Sequence, residues 1–255
     1  IWFCLVGSEM CIRDRPYYNL LKKNPNIVDV IIDKRLSRFN LFYLYLLMRK
    51  IKKYQFTKVY DLQNSKRTSF YKRILFPTAS SDKWSSTETT LPNETSKDDF
   101  DKDNVLNRFK HQLNSSGIQT KNVMYPDFSW SCEDITKIKT DYNLNKYLIL
   151  FPFSSPNLLI KRWPYYNELI RKIKSEFKDK LQILVAPGPN EIKIAEEIDA
   201  TCILDKDKAL NIPQLSSLIK DSYFIIANDT GPAHMAAHLN VCLLYTSPSP
   251  RDRTR

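Results

Sequence analysis

Phe224-Ile-Ile-Ala-Asn-Asp-Thr-Gly-Pro-Ala-His-Met-Ala-Ala-His-Leu239 is the stretch from which the rest of the chain is read. Its four apolar residues, Phe224–Ala227, predict a short buried strand. The turn Asn228-Asp229-Thr230-Gly231 follows, and Pro232 opens an Ala-rich helix. Asp229 or Thr230 suits the N-cap, and Pro232 suits the first turn, where a missing N–H costs nothing. Gly231 leaves no side chain where a ligand would approach the backbone. Strand, tight turn and helix N-terminus together make an anion site, because unpaired N–H groups and the helix dipole face the turn. An ordinary capped strand-to-helix junction uses the same residues, and the local pattern does not separate the two.

Upstream of this stretch, strands and helices alternate with short links. The pattern predicts strands at Tyr147–Phe151, Leu181–Ala186 and Cys202–Leu204, with helices at Trp163–Phe177, Glu191–Ile198 and Ile212–Ile219. Tyr166, Leu169, Ile170, Ile173 and Phe177 share one helical face; Ile212, Leu215, Leu218 and Ile219 share another. Such alternation points to an α/β fold whose parallel sheet is covered on both faces. Ligands of such sheets bind outside the carboxyl ends of the strands. The loops after Phe151, Ala186 and Ala227 all open on that edge.

The first half reads less sharply. A helix ends over Tyr18–Lys23, followed by strand Val28–Ile32, helix Leu41–Lys53 and strand Phe56–Leu62. Phe39–Met48 is apolar but short of the ~20 residues a spanning helix needs, so it is read as a buried helix between Arg38 and Arg49-Lys50. Between Pro77 and Asn104 the chain is polar and without apolar period, as functional or mobile loops are. Asn104–Leu113 predicts a helix with Val105, Leu106, Phe109 and Leu113 on one face and Gly117 just past its end. Tyr125–Asn145 shows little pattern and is where a domain linker is expected.

The ends read differently from the middle. Met10-Cys-Ile-Arg-Asp-Arg15 can be encoded as ATG TGT ATA AGA GAC AGN, whose opposite strand encodes Cys242-Leu-Leu-Tyr-Thr246. Extending it to Leu5 on one strand yields Ser247-Pro-Ser-Pro-Arg251 on the other. Residues 5–15 and 242–252 can therefore be two strands of one DNA segment, as a ligated sequencing adaptor would be, and they are similar to a common transposase adaptor. Residues 1–15 and 242–255 are accordingly expected to be foreign and to pack poorly.

Setting the ends aside changes the composition. They carry +2 of the chain's formal +11, leaving +9 over the native stretch. That balance favours anionic partners such as phosphates or an acidic membrane face. No basic stripe with interleaved aromatics appears, so nucleic-acid binding is not expected. Only Gly117, Gly188 and Gly231 remain, which excludes a dinucleotide fingerprint and a P-loop. Cys132 and Cys202 are too few for a metal site or a disulfide framework. His234 and His238 have helical zinc-ligand spacing, but no Glu follows His234 and no third ligand is evident, so no metal is expected.

Three blocks, in order, resemble the heptosyltransferases (glycosyltransferase family 9). Asn228-Asp229-Thr230-Gly231-Pro232-x-His234-x-Ala236-Ala237 is similar to the family's donor-site signature. Asp61-Leu-Gln-Asn-Ser-Lys-Arg-Thr-Ser69 resembles its Asp-Leu-Gln-Gly-Ser-x-Arg-Ser, with Asn64 where the family has Gly; Asn tolerates a left-handed backbone. Phe151-Pro-Phe-Ser-Ser-Pro-Asn-Leu-Leu-Ile-Lys-Arg-Trp-Pro164 resembles His-Pro-Gly-x-Ser…Lys-x-Trp-Pro, with Phe151 and Phe153 replacing His and Gly.

The resemblance implies a GT-B fold of two Rossmann-like domains with parallel sheets. Residues 16–142 would be a truncated acceptor-side domain and 143–241 a truncated nucleotide-sugar domain. It implies an inverting, metal-independent glycosyltransferase without cofactor, moving a heptose or related sugar from an ADP-activated donor to a lipopolysaccharide core acceptor. Lys161 would stabilise the leaving diphosphate as a point charge, with Arg162 at the family's variable position. Ser154, Ser155, Asp229, Thr230, Gly231, Pro232 and His234 would line the donor site, and Glu191 would take the ribose hydroxyls. Trp163 would pack the helix start. Gln63, Ser65 and Arg67 would face a lipid-linked anionic acceptor; a polar strand-to-helix turn accounts for the same residues. The general base would lie upstream of Pro16, leaving this fragment catalytically incomplete. Location would be cytoplasmic, with peripheral contact at the inner membrane. A non-catalytic nucleotide-sugar-binding module and an α/β domain for an unrelated ligand are the alternatives.

Overall fold

The computed structural model describes residues 3–6, 10–13, 18–54, 56–77, 83–92, 95–120, 127–154, 159 and 162–246, with backbone alone for 3–6, 10–13, 75, 179 and 246. The chain divides into two compact units between Pro126 and Asp127. That falls within the Tyr125–Asn145 stretch where a linker is expected, ahead of a division after residue 142. The reason is that the 3-10 turn Ser129–Ser131 and the helix Thr136–Asp141 belong to the second unit. Ile135 and Ile138 sit in its core, and the Ser217 hydroxyl receives the Glu133 amide at 2.7 Å.

The first unit runs β1 (Phe3–Val6), β2 (Met10–Arg13), α1 (Tyr18–Lys22), β3 (Asp29–Ile32), α2 (Leu41–Lys52), β4 (Lys58–Asp61), α3 (Lys66–Leu75), β5 (Trp84–Ser85), α4 (Lys97–Phe100) and α5 (Val105–Ser115). Its sheet has the order β3-β2-β1-β4-β5. β2 pairs parallel with β3, and β4 with β5. β1 runs antiparallel to both its neighbours, so this sheet is mixed. Residues 3–6 and 10–13, expected to pack poorly, hold ladder positions. A short apolar run satisfies a strand's hydrogen bonds whatever encoded it.

Two further expectations are corrected here. Helix α2 buries Leu44, Leu47 and Ile51 against Ile31, Val59, Tyr71 and Trp84, but it is not a buried helix. Phe39 is 92% exposed, Leu41 76% and Phe42 72%, because the sheet covers only one stripe of it. The polar stretch after Pro77 contains β5, with Trp84 fully buried. One bulky anchor in a two-residue strand leaves no period to read. Helix α5 forms as expected and Gly117 follows it at φ +87°, yet its fully buried side chain is Gln112. The Gln112 amide donates to the carbonyls of Asp61 and Ser85 at 3.0 and 3.1 Å, tying the ends of β4 and β5 together.

The second unit continues with α6 (Thr136–Asp141), β6 (Tyr147–Phe151), α7 (Tyr166–Phe177), β7 (Gln182–Val185), α8 (Ile192–Ala195), β8 (Thr201–Cys202), α9 (Ile212–Lys220), β9 (Phe224–Asn228), α10 (Gly231–His238) and β10 (Leu243–Thr246). The sheet order is β10-β9-β6-β7-β8, parallel throughout. The centre is dry. Ile149, Leu184, Leu218, Ile219 and Ile225 form one core face, and Leu148, Tyr166, Ile170 and Ile226 the other. Burial on both faces is why β6 and β9 read as unbroken apolar runs. Phe177, expected inside, is half exposed as the last residue of α7. β10 lies in the segment expected to be foreign; it pairs with β9, and Leu243 packs against the core.

Candidate functional site

At the carboxyl edge of the second sheet, the loops after β6, β7 and β9 enclose a cavity of about 490 Å³. Phe151, Phe153, Leu210, Ile212 and Leu215 supply its apolar walls, and Ser154, Glu191, Asp229, Thr230 and Gly231 its polar ones. That size and mixture suit a small organic ligand with a charged end.

Asn228, the last residue of β9, holds this edge together. It is completely buried. Its side-chain N–H donates to the Pro152 carbonyl at 2.8 Å, and its oxygen accepts from the Tyr166 hydroxyl at 3.2 Å and the Trp163 amide at 3.4 Å. One amide thus fastens the β9 turn to the β6 loop and to the start of α7. Sequence reading places Asn228 in the motif without this role; the signal is an Asn closing an otherwise apolar buried strand, where a polar group must be paired.

Thr230 is the N-cap of α10 with extended backbone, and Pro232 stands in the first turn. The Thr230 hydroxyl donates to the Asn228 carbonyl at 3.3 Å rather than capping the helix. Pro232 has no N–H and the Ala233 amide bonds the Thr230 carbonyl at 3.1 Å, so the α10 N-terminus presents the Gly231 backbone and its positive dipole end to the cavity lining. A Cβ added to Gly231 would meet no heavy atom within 4 Å, so the position opens onto free space. The Glu191 carboxylate accepts the Gly188 amide at 2.8 Å, closing the Pro-Gly-Pro turn while lining the cavity.

His234 does not line the cavity. Ala233 and Ala236 take the buried face of α10, which leaves His234 on the outer side with Nε2 3.6 Å from Asp229 Oδ1. Burial, then the neighbouring His234, lowers the pKa of His238. Ser155 and Lys161 lie outside the described residues. Arg162 is not solvent-facing: its guanidinium lies 6.0 Å over the Phe153 ring and donates to the Ser154 carbonyl at 3.5 Å. Its Nε is buried with no hydrogen-bond partner among the described residues.

The first unit's corresponding edge is built differently. Asn64 has φ +49°, the left-handed turn expected of a residue standing in for Gly. Its side chain receives the Thr87 amide at 2.7 Å and donates to Gln112 at 3.2 Å. The Gln63 and Asn64 amides both donate to Asp61. Ser65 is the N-cap of α3 in a capping box with Thr68. Arg67 donates to Asp33, to the Tyr71 hydroxyl at 2.7 Å and to the Leu36 carbonyl at 3.1 Å. Burial pushes the Asp33 carboxyl up, but hydrogen bonds from Tyr43, Tyr71 and the Arg35 amide, with the Arg67 charge, outweigh it and hold the pKa below the usual value. Burial dominates at Asp61 and raises it. Among the described residues, no three His, Cys, Asp or Glu side chains are grouped as metal ligands.

The sequence profile of Glycosyltransferase family 9 (heptosyltransferase) matches residues 44–254, which takes in all three blocks and also residues 242–254. No curated protein matches the chain by sequence. Among solved structures, the family 9 glycosyl transferase from Veillonella parvula is similar at 18% identity and TM-score 0.66, over 92% of this chain and 70% of that one. E. coli heptosyltransferase WaaC with ADP-2-deoxy-2-fluoro heptose is similar at 14% and 0.61, over 94% and 80%. E. coli ADP-heptose lps heptosyltransferase II is similar at 16% and 0.62, over 95% and 76%. At these identities the likeness carries the fold, an α/β GT-B architecture. The profile carries the family: the chain belongs to glycosyltransferase family 9, the heptosyltransferases.

Proposed function

We propose that the second unit binds an ADP-activated heptose or related sugar, and that the protein transfers the sugar to a lipopolysaccharide core acceptor with inversion and without a metal. The observation that carries this reading is the cavity at the sheet edge, with apolar walls on one side and Ser154, Glu191, Asp229, Thr230 and the α10 N-terminus on the other. The aromatic and aliphatic walls suit a purine ring, and Glu191 suits ribose hydroxyls. The acceptor oxygen attacks the anomeric carbon as the bond to the diphosphate breaks, and the acceptor proton passes to the family's general base, upstream of Pro16 by resemblance. Charge then builds on the departing diphosphate. Lys161, Ser154, Ser155 and the dipole of α10 at Thr230–Gly231 are the groups that offset it, acting where charge develops.

Gln63, Ser65 and Arg67 are the residues that resemblance assigns to a lipid-linked anionic acceptor. Their bonds within the first unit give them a structural role, so acceptor contact there would be made by a surface already ordered. No described helix is long and apolar enough to cross a membrane; action at the cytoplasmic face of the inner membrane, through peripheral contact, is part of the proposal. Calorimetric titration with ADP and UDP tests the donor reading. ADP is expected to bind at least about tenfold tighter than UDP, as a pocket shaped for one base discriminates against another. Equal affinities, or none, would rule it out.

A further inference from the structure

The N-terminal half of α2 and the loop before it carry an exposed apolar face that the donor reading does not use. Phe39, Leu41, Phe42 and Tyr45 are 92%, 76%, 72% and 54% exposed, with Leu36 and Leu46 beside them. The helix is apolar on all sides for two turns although Leu44, Leu47 and Ile51, flanked by the partly buried Tyr43 and Met48, form the stripe that meets the core. A helix of that kind is normally buried all round or placed in lipid. Exposed cations bracket the patch along the chain: Lys34, Arg35 and Arg38 before it, Arg49 and Lys50 after it. From Lys34 to Tyr60 there is not one Asp or Glu.

The patch is held in place. Arg67 donates twice to the Leu36 carbonyl, at 3.1 and 3.2 Å. Asn40 caps α2 by accepting the Tyr43 amide at 2.9 Å, and the Tyr43 hydroxyl receives the Lys34 amide at 2.9 Å. The face is therefore presented ready-made rather than formed on contact.

We propose that this face docks the protein onto an anionic lipid surface, with Phe39, Leu41, Phe42 and Tyr45 entering the headgroup–acyl boundary and the flanking Lys and Arg pairing with lipid phosphates. The inference deepens the peripheral membrane contact proposed above by naming its surface, and it is independent of the donor site. Charge complementarity selects the occupant. Exposed cations on both sides of an apolar centre, with no acidic residue between Lys34 and Tyr60, match acidic headgroups over acyl chains. A second copy seated on the same face would set cations against cations, which costs affinity. Aromatic and Leu side chains reach the interface while long Lys and Arg stems keep their charges at headgroup level.

Co-sedimentation of the 255-residue chain with phosphatidylglycerol–phosphatidylcholine vesicles, and with phosphatidylcholine vesicles alone, tests this. Partitioning is expected to be at least about tenfold stronger on the anionic vesicles and to fall with salt. Phe39→Ser with Phe42→Ser is expected to lower it by about tenfold or more, since both rings are lost from the interface. Arg49→Gln with Lys50→Gln is expected to lower it by about tenfold and to weaken the salt dependence. Both pairs are exposed, so thermal midpoints are expected to stay put; if the Phe pair unfolds early, the Arg49/Lys50 pair decides alone. Equal binding to both vesicles, no binding, or wild-type binding by both variants overturns the proposal. So does lipid-free self-association that the Phe pair abolishes, which would give the face to a second copy.

Discussion

Both units place polar side chains after parallel strands, where such folds bind ligands, yet one edge is closed over and the other encloses a cavity. After β4, Asn64 is spent on Thr87 and Gln112, Ser65 on capping α3, and Arg67 on Asp33, Tyr71 and Leu36. After β6, β7 and β9, Ser154, Glu191, Asp229 and Thr230 surround open space. Partners within the fold are present there too, Glu191 on the Gly188 amide and Thr230 on the Asn228 carbonyl, but the Asn228 bonds fasten the loops around the cavity rather than across it. A polar strand-to-helix turn is thus not by itself a site; what matters is whether the loops around it leave room, about 490 Å³ at the second edge against about 10 Å³ beside Asp61 and Asn64.

The largest effect is expected where the closed edge is broken. Asp33→Asn removes the charge facing Arg67 and one of the two carboxylate oxygens that accept separately from the Tyr43 and Tyr71 hydroxyls. Loss of a largely buried pair of this kind costs about 3 kcal/mol, readable as a shift in urea midpoint, while ADP affinity is expected to hold. The carboxyl's pKa is depressed in the fold. Its stabilisation is therefore present at neutral pH and is lost as pH falls below the ordinary carboxylate range through the lowered value. The Asn variant should show no such contribution to acid lability. A variant with normal stability would mean the closed network is decoration, and Arg67 would again be a candidate for the acceptor.

At the open edge the effects fall on binding. Lys161→Ala is expected to raise the ADP dissociation constant by about one to two orders of magnitude, the worth of a charge-assisted phosphate contact. Arg162→Ala would stay within about threefold if it were a free surface residue. Stacked on Phe153 and bonded to Ser154, it is expected to cost about tenfold through loosened walls. Gly231→Ala sharpens the contrast. Its new Cβ meets nothing in the protein, so unfolding should be unchanged, and only a ligand lying against that backbone would feel it. ADP affinity is expected to fall by about fivefold. Unchanged affinity would put the ligand elsewhere in the cavity.

Much of this contrast was half legible. The parallel order of the second sheet follows from unbroken apolar runs such as Tyr147–Phe151 alternating with amphipathic helices, because burial on both faces leaves a mark in composition. The left-handed turn at Asn64 was legible from a residue type that tolerates it. What could not be read was partnership across distance. Arg67 reaches Asp33 and Asn228 reaches Tyr166 through tertiary packing, and no local spacing records either. Nor does an apolar stretch announce how much of it is covered: Phe39–Met48 has a core stripe and an exposed one, and the residue types are the same on both. His234 shares the donor motif, but helical phase relative to Ala233 and Ala236 carries it away from the cavity. The ends show the converse, since residues 3–6, 10–13 and 243–246 join sheets although a foreign origin and poor packing were expected of them.

Amide hydrogen exchange of the intact chain with and without saturating ADP tests the contrast most directly, since both edges report in one experiment. Slowed exchange is expected in residues 151–154, 187–191 and 229–234, with residues 61–68 unchanged. Protection of 61–68 while the three loops of the second sheet stay as they were would contradict the assignment of the ligand to the open edge.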